Sequence, residues 1–183
     1  QTLTERGYVF IGMDHFAKPD DELSIALKEG FLQRNFQGYS TYADCDLVAI
    51  GVSSIGKIGS TYSQNERDID AYYAALDAGH LPIMRGYQLN QDDILRRNII
   101  QDLMCRFSLD YQIYESVFGI PFSRYFAAEL EDMKQLETLG LVRLKSHSLT
   151  VTPKGRFLIR NIAMVFDYHL RHKETKAKYS QTV

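Results

Sequence analysis

The spacing of apolar residues changes at Asn65, and this change constrains the fold more than any other feature. Before it, apolar side chains come in short runs, Tyr8 to Met13 and Leu47 to Val52, separated by polar stretches. Short runs rich in β-branched and aromatic residues mark buried strands. From Asn65 the period is helical, with Ile69, Tyr72, Tyr73 and Leu76 at i, i+3, i+4 and i+7. A chain that runs from strands into successive helices is α+β. A domain boundary is expected near the extended connector from His80 to Leu89, with its Pro82 and Gly86.

Start and stop signals divide each part. Pro19-Asp20-Asp21-Glu22 opens a helix, because proline is tolerated in the first turn and acids suit the positive dipole end. Gly30 ends it. Arg34 to Asp46 has no helical period and is expected as a loop. Ser53 to Ser60 is a glycine-rich turn after the second strand. Asn65 caps the next helix and Gly79 stops it, followed by an extended connector from His80 to Leu89. Asn90 caps a longer helix with Asp92 and Asp93 in its first turn and Leu95, Ile99, Leu103 and Phe107 inward. A helix over Tyr111 to Phe118 is broken by Gly119-Ile120-Pro121. Ser123 then caps a helix with Phe126, Leu130, Met133 and Leu136 inward, ending at Gly140. Leu141 to Leu144 and Leu149 to Val151 flank a polar turn, a hairpin pattern. Thr152-Pro153 begins a last helix through Phe157, Leu158, Ile162, Val165 and Phe166, and the tail from Glu174 is expected to fray.

Composition narrows the function classes. With 45% hydrophobic and 24% charged residues, the 183-residue chain is globular. Its net charge of −2 offers no overall positive field for nucleic acid or an anionic membrane. The two cysteines, Cys45 and Cys105, form no Cys-x-x-Cys, which argues against a paired-cysteine zinc site and fits a reduced cytoplasm. No apolar run reaches the roughly 20 residues of a membrane span. The opening Gln1 to Tyr8 reads as the last turn of a helix ending at Gly7 before a strand, so the chain is expected to begin within a fold.

Several constellations carry chemistry in principle. Gly51 to Lys57 matches a phosphate loop until Ile58 stands where magnesium needs Ser or Thr. The better reading is a glycine-loosened turn that lets backbone approach a flat ligand, with Ile55 as an apolar surface. Asn35-Phe36-Gln37-Gly38-Tyr39 sets amides beside aromatics that can stack on a heterocycle. Asp93 and Arg97 at i,i+4 suit a helix-surface ion pair. His15 follows a strand, a frequent place for functional groups, whereas His169 and His172 suit a helix C-terminus. The helix–hairpin–helix pattern from Ser123 to Phe166 reads as winged-helix-like. Its central helix carries Glu129, Glu131, Asp132 and Glu137 against Lys134, however, and acids repel phosphates. It is therefore read as a structural or protein-contact module that binds no nucleic acid.

The assembled strings say more. Gly7-Tyr8, Phe10 to Ala17, Pro19 to Leu23, Arg34 to Tyr39, Gly51 to Ser53 with Ile55, Arg85-Gly86, Asp92-Asp93, Arg96-Arg97, and Lys154-Gly155-Arg156 with Leu158 to Ile162 run in order along the chain. Together they resemble the oxygen-independent coproporphyrinogen III oxidases, a radical S-adenosylmethionine family of haem biosynthesis. The resemblance implies the end of a partial (β/α) radical-SAM barrel over 1–62 and a mainly helical C-terminal domain over 63–183. It implies an oxidoreductase that decarboxylates two propionates of coproporphyrinogen III to vinyl groups, giving protoporphyrinogen IX. A [4Fe-4S] cluster and S-adenosylmethionine are the implied cofactors. Gln37 and Ile55 match positions that contact a second S-adenosylmethionine. The family's Cys-x3-Cys-x2-Cys cluster ligands have no counterpart here. No catalytic or metal-binding residue is therefore expected within these 183 residues, which are expected to be inactive alone. A cut barrel exposes apolar edges, so self-association is expected too. A non-catalytic haem-binding or winged-helix interaction module is the alternative.

Overall fold

The computed structural model describes residues 2–42 and 45–172. They form a mixed α/β structure that packs as two compact units, residues 1–30 with 95–183, and residues 31–94. This division by compactness differs in kind from a boundary at 62/63, which falls inside a strand described below.

The first thirty residues form α1 (Thr2–Glu5), β1 (Val9–Gly12), β2 (His15–Ala17) and α2 (Glu22–Glu29). Gly7 turns the chain from α1 to β1 with φ +80°, as expected for a helix end before a strand. β1 and β2 pair antiparallel. Asp21 caps α2 by accepting from the Leu23 N–H, and Gly30, in the left-handed region, closes it.

Residues 31–94 contain β3 (Gln33–Asn35), β4 (Gly38–Ser40), β5 (Ile55–Ile58), β6 (Thr61–Asn65), α3 (Ile69–Asp77) and β7 (Ile83–Gln88). β3 and β4 form a hairpin, and β5-β6-β7 form an antiparallel sheet. Several expectations are corrected here. The stretch after Arg34, expected as a loop, is this hairpin, turned at Phe36-Gln37. The run Leu47 to Val52, expected as a buried strand, makes a single bridge from Leu47 to Lys57, and Val48 and Ile50 are exposed. Its Ala49 and Gly51 carbonyls instead accept from the Asn65 side chain. The expected glycine-rich turn contains strand β5. Gly56 lies in that strand, where a Cβ would stand 3.0 Å from the Leu47 carbonyl oxygen. The need for glycine there is close backbone approach, not phosphate binding. Asn65 is not a helix cap; it ends β6, and Asp68 caps α3 by accepting from the N–H groups of Asp70 and Ala71. The expected connector from His80 contains β7.

The rest is α4 (Gln91–Arg106), β8 (Ser108–Asp110), α5 (Tyr111–Phe118), α6 (Phe122–Tyr125), α7 (Ala127–Thr138), β9 (Val142–Lys145), β10 (Ser148–Val151), α8 (Pro153–Arg156), α9 (Ile159–Met164) and α10 (Tyr168–Arg171). Asn90 caps α4 reciprocally with Asp93: the Asn90 side chain accepts from the Asp93 N–H, and Asp93 accepts from the Asn90 N–H. Leu95, Ile99, Leu103 and Phe107 are buried as the period requires. The β9–β10 hairpin appears as expected and gains a third strand, β8, in the order β8-β10-β9. Pro121 rather than Ser123 precedes α6. The last expected helix is broken into α8 and α9, with Phe157 exposed and its ring stacked on Phe10 at 5.6 Å.

The core of this unit is aromatic. Tyr111 stacks on Phe122 at 4.3 Å, Phe122 contacts Phe126, and Phe126 meets Phe166 edge-on. The buried Glu129 accepts from Arg96 at 2.9 Å, and the same guanidinium also donates to the Phe166 carbonyl. Asp93 and Arg96 thus have partners other than the helix-surface pairing expected for Asp93 and Arg97. The tail from Glu174 lies outside the described residues.

Candidate functional site

Antiparallel pairing in the β5-β6-β7 sheet sets two rows of side chains across one face. Ile55 pairs with Gln64 and Gln64 with Arg85; Lys57 pairs with Tyr62 and Tyr62 with Tyr87. Side chains two apart on a strand share a face, so these six residues stand together. Ile55, Tyr62, Gln64, Arg85 and Tyr87 line a depression of about 360 Å³, with Phe36 from the β3–β4 turn on its rim. The Phe36 ring meets Tyr62 edge-on at 5.5 Å.

The lining of the depression is largely apolar and aromatic and includes the Gln64 amide and the Arg85 guanidinium. Arg85 donates from Nε at 2.9 Å and from Nη2 at 2.6 Å, both to the Gln64 side-chain oxygen. Arg67 reaches the same oxygen at 3.5 Å. None of the lining residues is acidic. The Tyr87 phenol donates to Asp93 at 2.9 Å, and that hydrogen bond, with smaller contributions from burial and the carboxylate's charge, raises its pKa. Tyr87 therefore presents no negative charge at neutral pH.

Of the two residues singled out in the sequence, Ile55 lies on this depression. Gln37 is exposed at the hairpin turn, one position beyond Phe36, with its N–H bonded to the Asn35 side chain at 2.8 Å. Tyr62, Gln64, Arg85 and Tyr87 were missed. Their strands lack the apolar alternation that marks a half-buried strand, and Arg85 and Tyr87 fall in the stretch expected as a connector. His15 begins β2, half-exposed, with Nδ1 3.0 Å from Asp14. Cys45 is exposed and Cys105 is buried in the core. Two separate thiols in such different settings do not fit an iron–sulfur cluster, which needs several thiolates converging. Among the described residues no three His, Cys, Asp or Glu side chains gather as a metal centre. Nor is any helix among them long and apolar enough to cross a membrane.

The mixed α/β arrangement agrees with the comparison to a solved structure given below. Residues 89–158 match the family model described as the HemN C-terminal domain. The oxygen-independent coproporphyrinogen III oxidase of Synechocystis sp. is 49% identical over 99% of this chain and 40% of its own length. The Escherichia coli protein of the same name is 46% identical over 99% of this chain and 40% of its own. A solved structure described as coproporphyrinogen III oxidase (HemN) from Escherichia coli, a radical SAM enzyme, superposes with a TM-score of 0.88 at 48% identity. It covers 92% of this chain and 39% of that one. This chain is thus similar over residues 89–158 to a HemN C-terminal domain. Along its length it is a homologue of the C-terminal portion of the oxygen-independent coproporphyrinogen III oxidases, and it spans about two fifths of the length of these relatives.

Proposed function

We propose that this chain is the C-terminal portion of an oxygen-independent coproporphyrinogen III oxidase, an oxidoreductase that converts two propionates of coproporphyrinogen III to vinyl groups. The observation that carries the reading is near-complete coverage of the chain at 49% identity by a protein so named. In the whole enzyme the [4Fe-4S] cluster and S-adenosylmethionine supply the radical chemistry. This chain's cysteines do not fit as cluster ligands, so no step is assigned to them. Its own residues form part of a binding surface, with Ile55, Phe36 and Tyr62 offering apolar contact and Gln37 an amide beside a second S-adenosylmethionine.

Segment 1–62 is read as the end of the radical-SAM barrel, and 63–183 as the C-terminal domain. This agrees with the family match lying wholly within the second segment. The order α4, β8, α5, α7, β9, β10 with sheet order β8-β10-β9 supports a winged-helix-like module. Its helix α7 suits protein contact rather than nucleic acid. Glu129 is buried against Arg96, and Lys134, the helix's one cation in sequence, pairs with Glu131 at 2.6 Å. Little positive charge remains to neutralise phosphates.

The test is anaerobic turnover. The full-length enzyme, cluster-loaded and supplied with S-adenosylmethionine and a reductant, converts coproporphyrinogen III to protoporphyrinogen IX. The 183-residue chain given the same treatment does not. A full-length enzyme that binds haem, seen as a Soret band on titration, but never decarboxylates coproporphyrinogen would replace this reading with the haem-binding one.

A further inference from the structure

We propose that Asn65 and Tyr72 are positioning residues for ligand binding at Ile55: they hold the backbone of residues 49–54 in the shape that delivers Ile55 to the sheet-face depression. The ligand's identity, a second S-adenosylmethionine, rests on the function proposed above; the clamp rests on the hydrogen bonds of the loop itself. Ile55 is the first residue of β5, paired with Gln64. A terminal pair frays unless the chain before it is held. That chain has little apolar packing to hold it. After the bridge from Leu47 to Lys57, both Val48 and Ile50 are exposed. Two of its residues lie in the left-handed region, Gly51 at φ +97° and Ser53 at φ +58°. A serine persists there where its surroundings determine it.

Those surroundings are hydrogen bonds that converge from the end of β6 and from α3. The Asn65 side-chain amide, buried at 4% exposure, donates to the Ala49 carbonyl at 3.3 Å and the Gly51 carbonyl at 3.0 Å. The Gly51 N–H donates to the Tyr72 phenol oxygen at 3.1 Å. The Ser53 N–H donates to the Glu66 carbonyl at 2.6 Å, and the Gln64 amide donates to the Ser53 carbonyl at 3.0 Å. The Asn65 N–H reaches the Ser54 carbonyl at 3.0 Å. Gly51 is thus gripped at both of its backbone polar groups by side chains, one from Asn65 and one from Tyr72. Truncating either strands a backbone group that its partner had satisfied, and the loop relaxes to find another. Neither Asn65 nor Tyr72 lines the depression. An effect of either on a ligand there passes through the loop and so through Ile55.

The experiment uses cluster-loaded full-length enzyme with S-adenosylmethionine as the probe. Calorimetry reads how many molecules bind and how tightly, and amide hydrogen exchange reads the loop. Wild type is expected to bind a first and a second molecule. Ile55→Ala, which trims the direct contact, is expected to weaken the second about tenfold. Asn65→Ala is expected to weaken the second about tenfold as well and to leave the first within about twofold. Tyr72→Phe removes one oxygen and keeps the ring. It is expected to weaken the second about threefold and to speed exchange of the Gly51 N–H. Adding Asn65→Ala to Ile55→Ala is expected to bring no further loss, because the two act in series. Asn90→Ala, which removes the α4 cap, is the stability control and is expected to leave both affinities unchanged. Second-site affinity that Asn65→Ala leaves intact overturns the proposal. So does full additivity with Ile55→Ala, or an equal loss in Asn90→Ala. If wild type binds one molecule, or Ile55→Ala changes nothing, the ligand reading fails and the proposal falls with it. If Ile55→Ala loses the second molecule while Asn65→Ala and Tyr72→Phe keep it, the ligand reading stands and only the clamp fails.

Discussion

Gly155 is packed directly against backbone. A Cβ there would lie 2.0 Å from the Leu141 carbonyl oxygen and 2.9 Å from a Val151 methyl, so backbone must move to admit any side chain. Gly155→Ala is expected to cost at least about 3 kcal/mol of stability, as overpacking against backbone does, measured by urea unfolding of the 183-residue chain. The Arg96–Glu129 pair follows a different logic. Both groups are buried, and removing either leaves the other charged without its partner. Arg96→Met alone is expected to cost about 3–5 kcal/mol, while Arg96→Met with Glu129→Leu recovers most of that. A double-mutant cycle by denaturant titration checks this, and strict additivity of the two changes would overturn it. In the sequence, Glu129 looked like a surface acid repelling phosphate. Helical period alone could not show that a cation 33 residues earlier meets it.

Local signals set some elements well. α5 begins and ends at the expected residues, because Asp110 caps it by accepting from the Gln112 N–H and Gly119 adopts φ +66°. The reciprocal cap on α4 was half legible. Asn90 was expected, but the return bond from Asp93 and the phenol of Tyr87 on the same carboxylate were not. Asn90→Ala is expected to lower stability by about 1 kcal/mol, read as a shift in urea midpoint with an unchanged slope. The sheet β5-β6-β7 escaped the sequence reading for a physical reason. Its strands are polar and glycine-bearing, with Ser63, Gln64, Gly56 and Gly86, so they lack the apolar alternation that marks a half-buried strand. The apolar run Leu47 to Val52 had the stronger propensity but lies largely exposed, held by the Asn65 amide rather than by a ladder. The candidate site was legible at Ile55 and in the aromatic hairpin turn at Phe36. Arg85 needed the β6–β7 register before it could be placed beside Gln64.

Across the whole molecule, the tyrosines of the 95–183 unit make stability depend on alkaline pH. Burial, with the nearby Glu137 charge, pushes the Tyr111 phenol up to about 12. Burial, then a hydrogen bond to Asp102 at 2.6 Å and that carboxylate's charge, raises Tyr114 further, partly offset by Arg106. Unfolded tyrosines ionise near pH 10. Their contribution is therefore complete below pH 10 and drains as pH rises toward 12, because the unfolded chain releases protons that the folded chain retains. Thermal melting at about pH 8 and about pH 11 should show this loss, and Tyr111→Phe should make the decline shallower. An equal decline in wild type and Tyr111→Phe would rule out Tyr111 as a source. Sequence by itself determined the mixed α/β character, the helix ends at Gly30, Gly79, Gly119 and Gly140, the inward stripe of α4 and the β9–β10 hairpin, because capping and periodicity act within a few residues. Tertiary structure decided the β5-β6-β7 sheet, the Arg96–Glu129 pair and the placing of Arg85 against Gln64. Those depend on strand register and on groups distant in sequence, and no window of neighbouring residues encodes them.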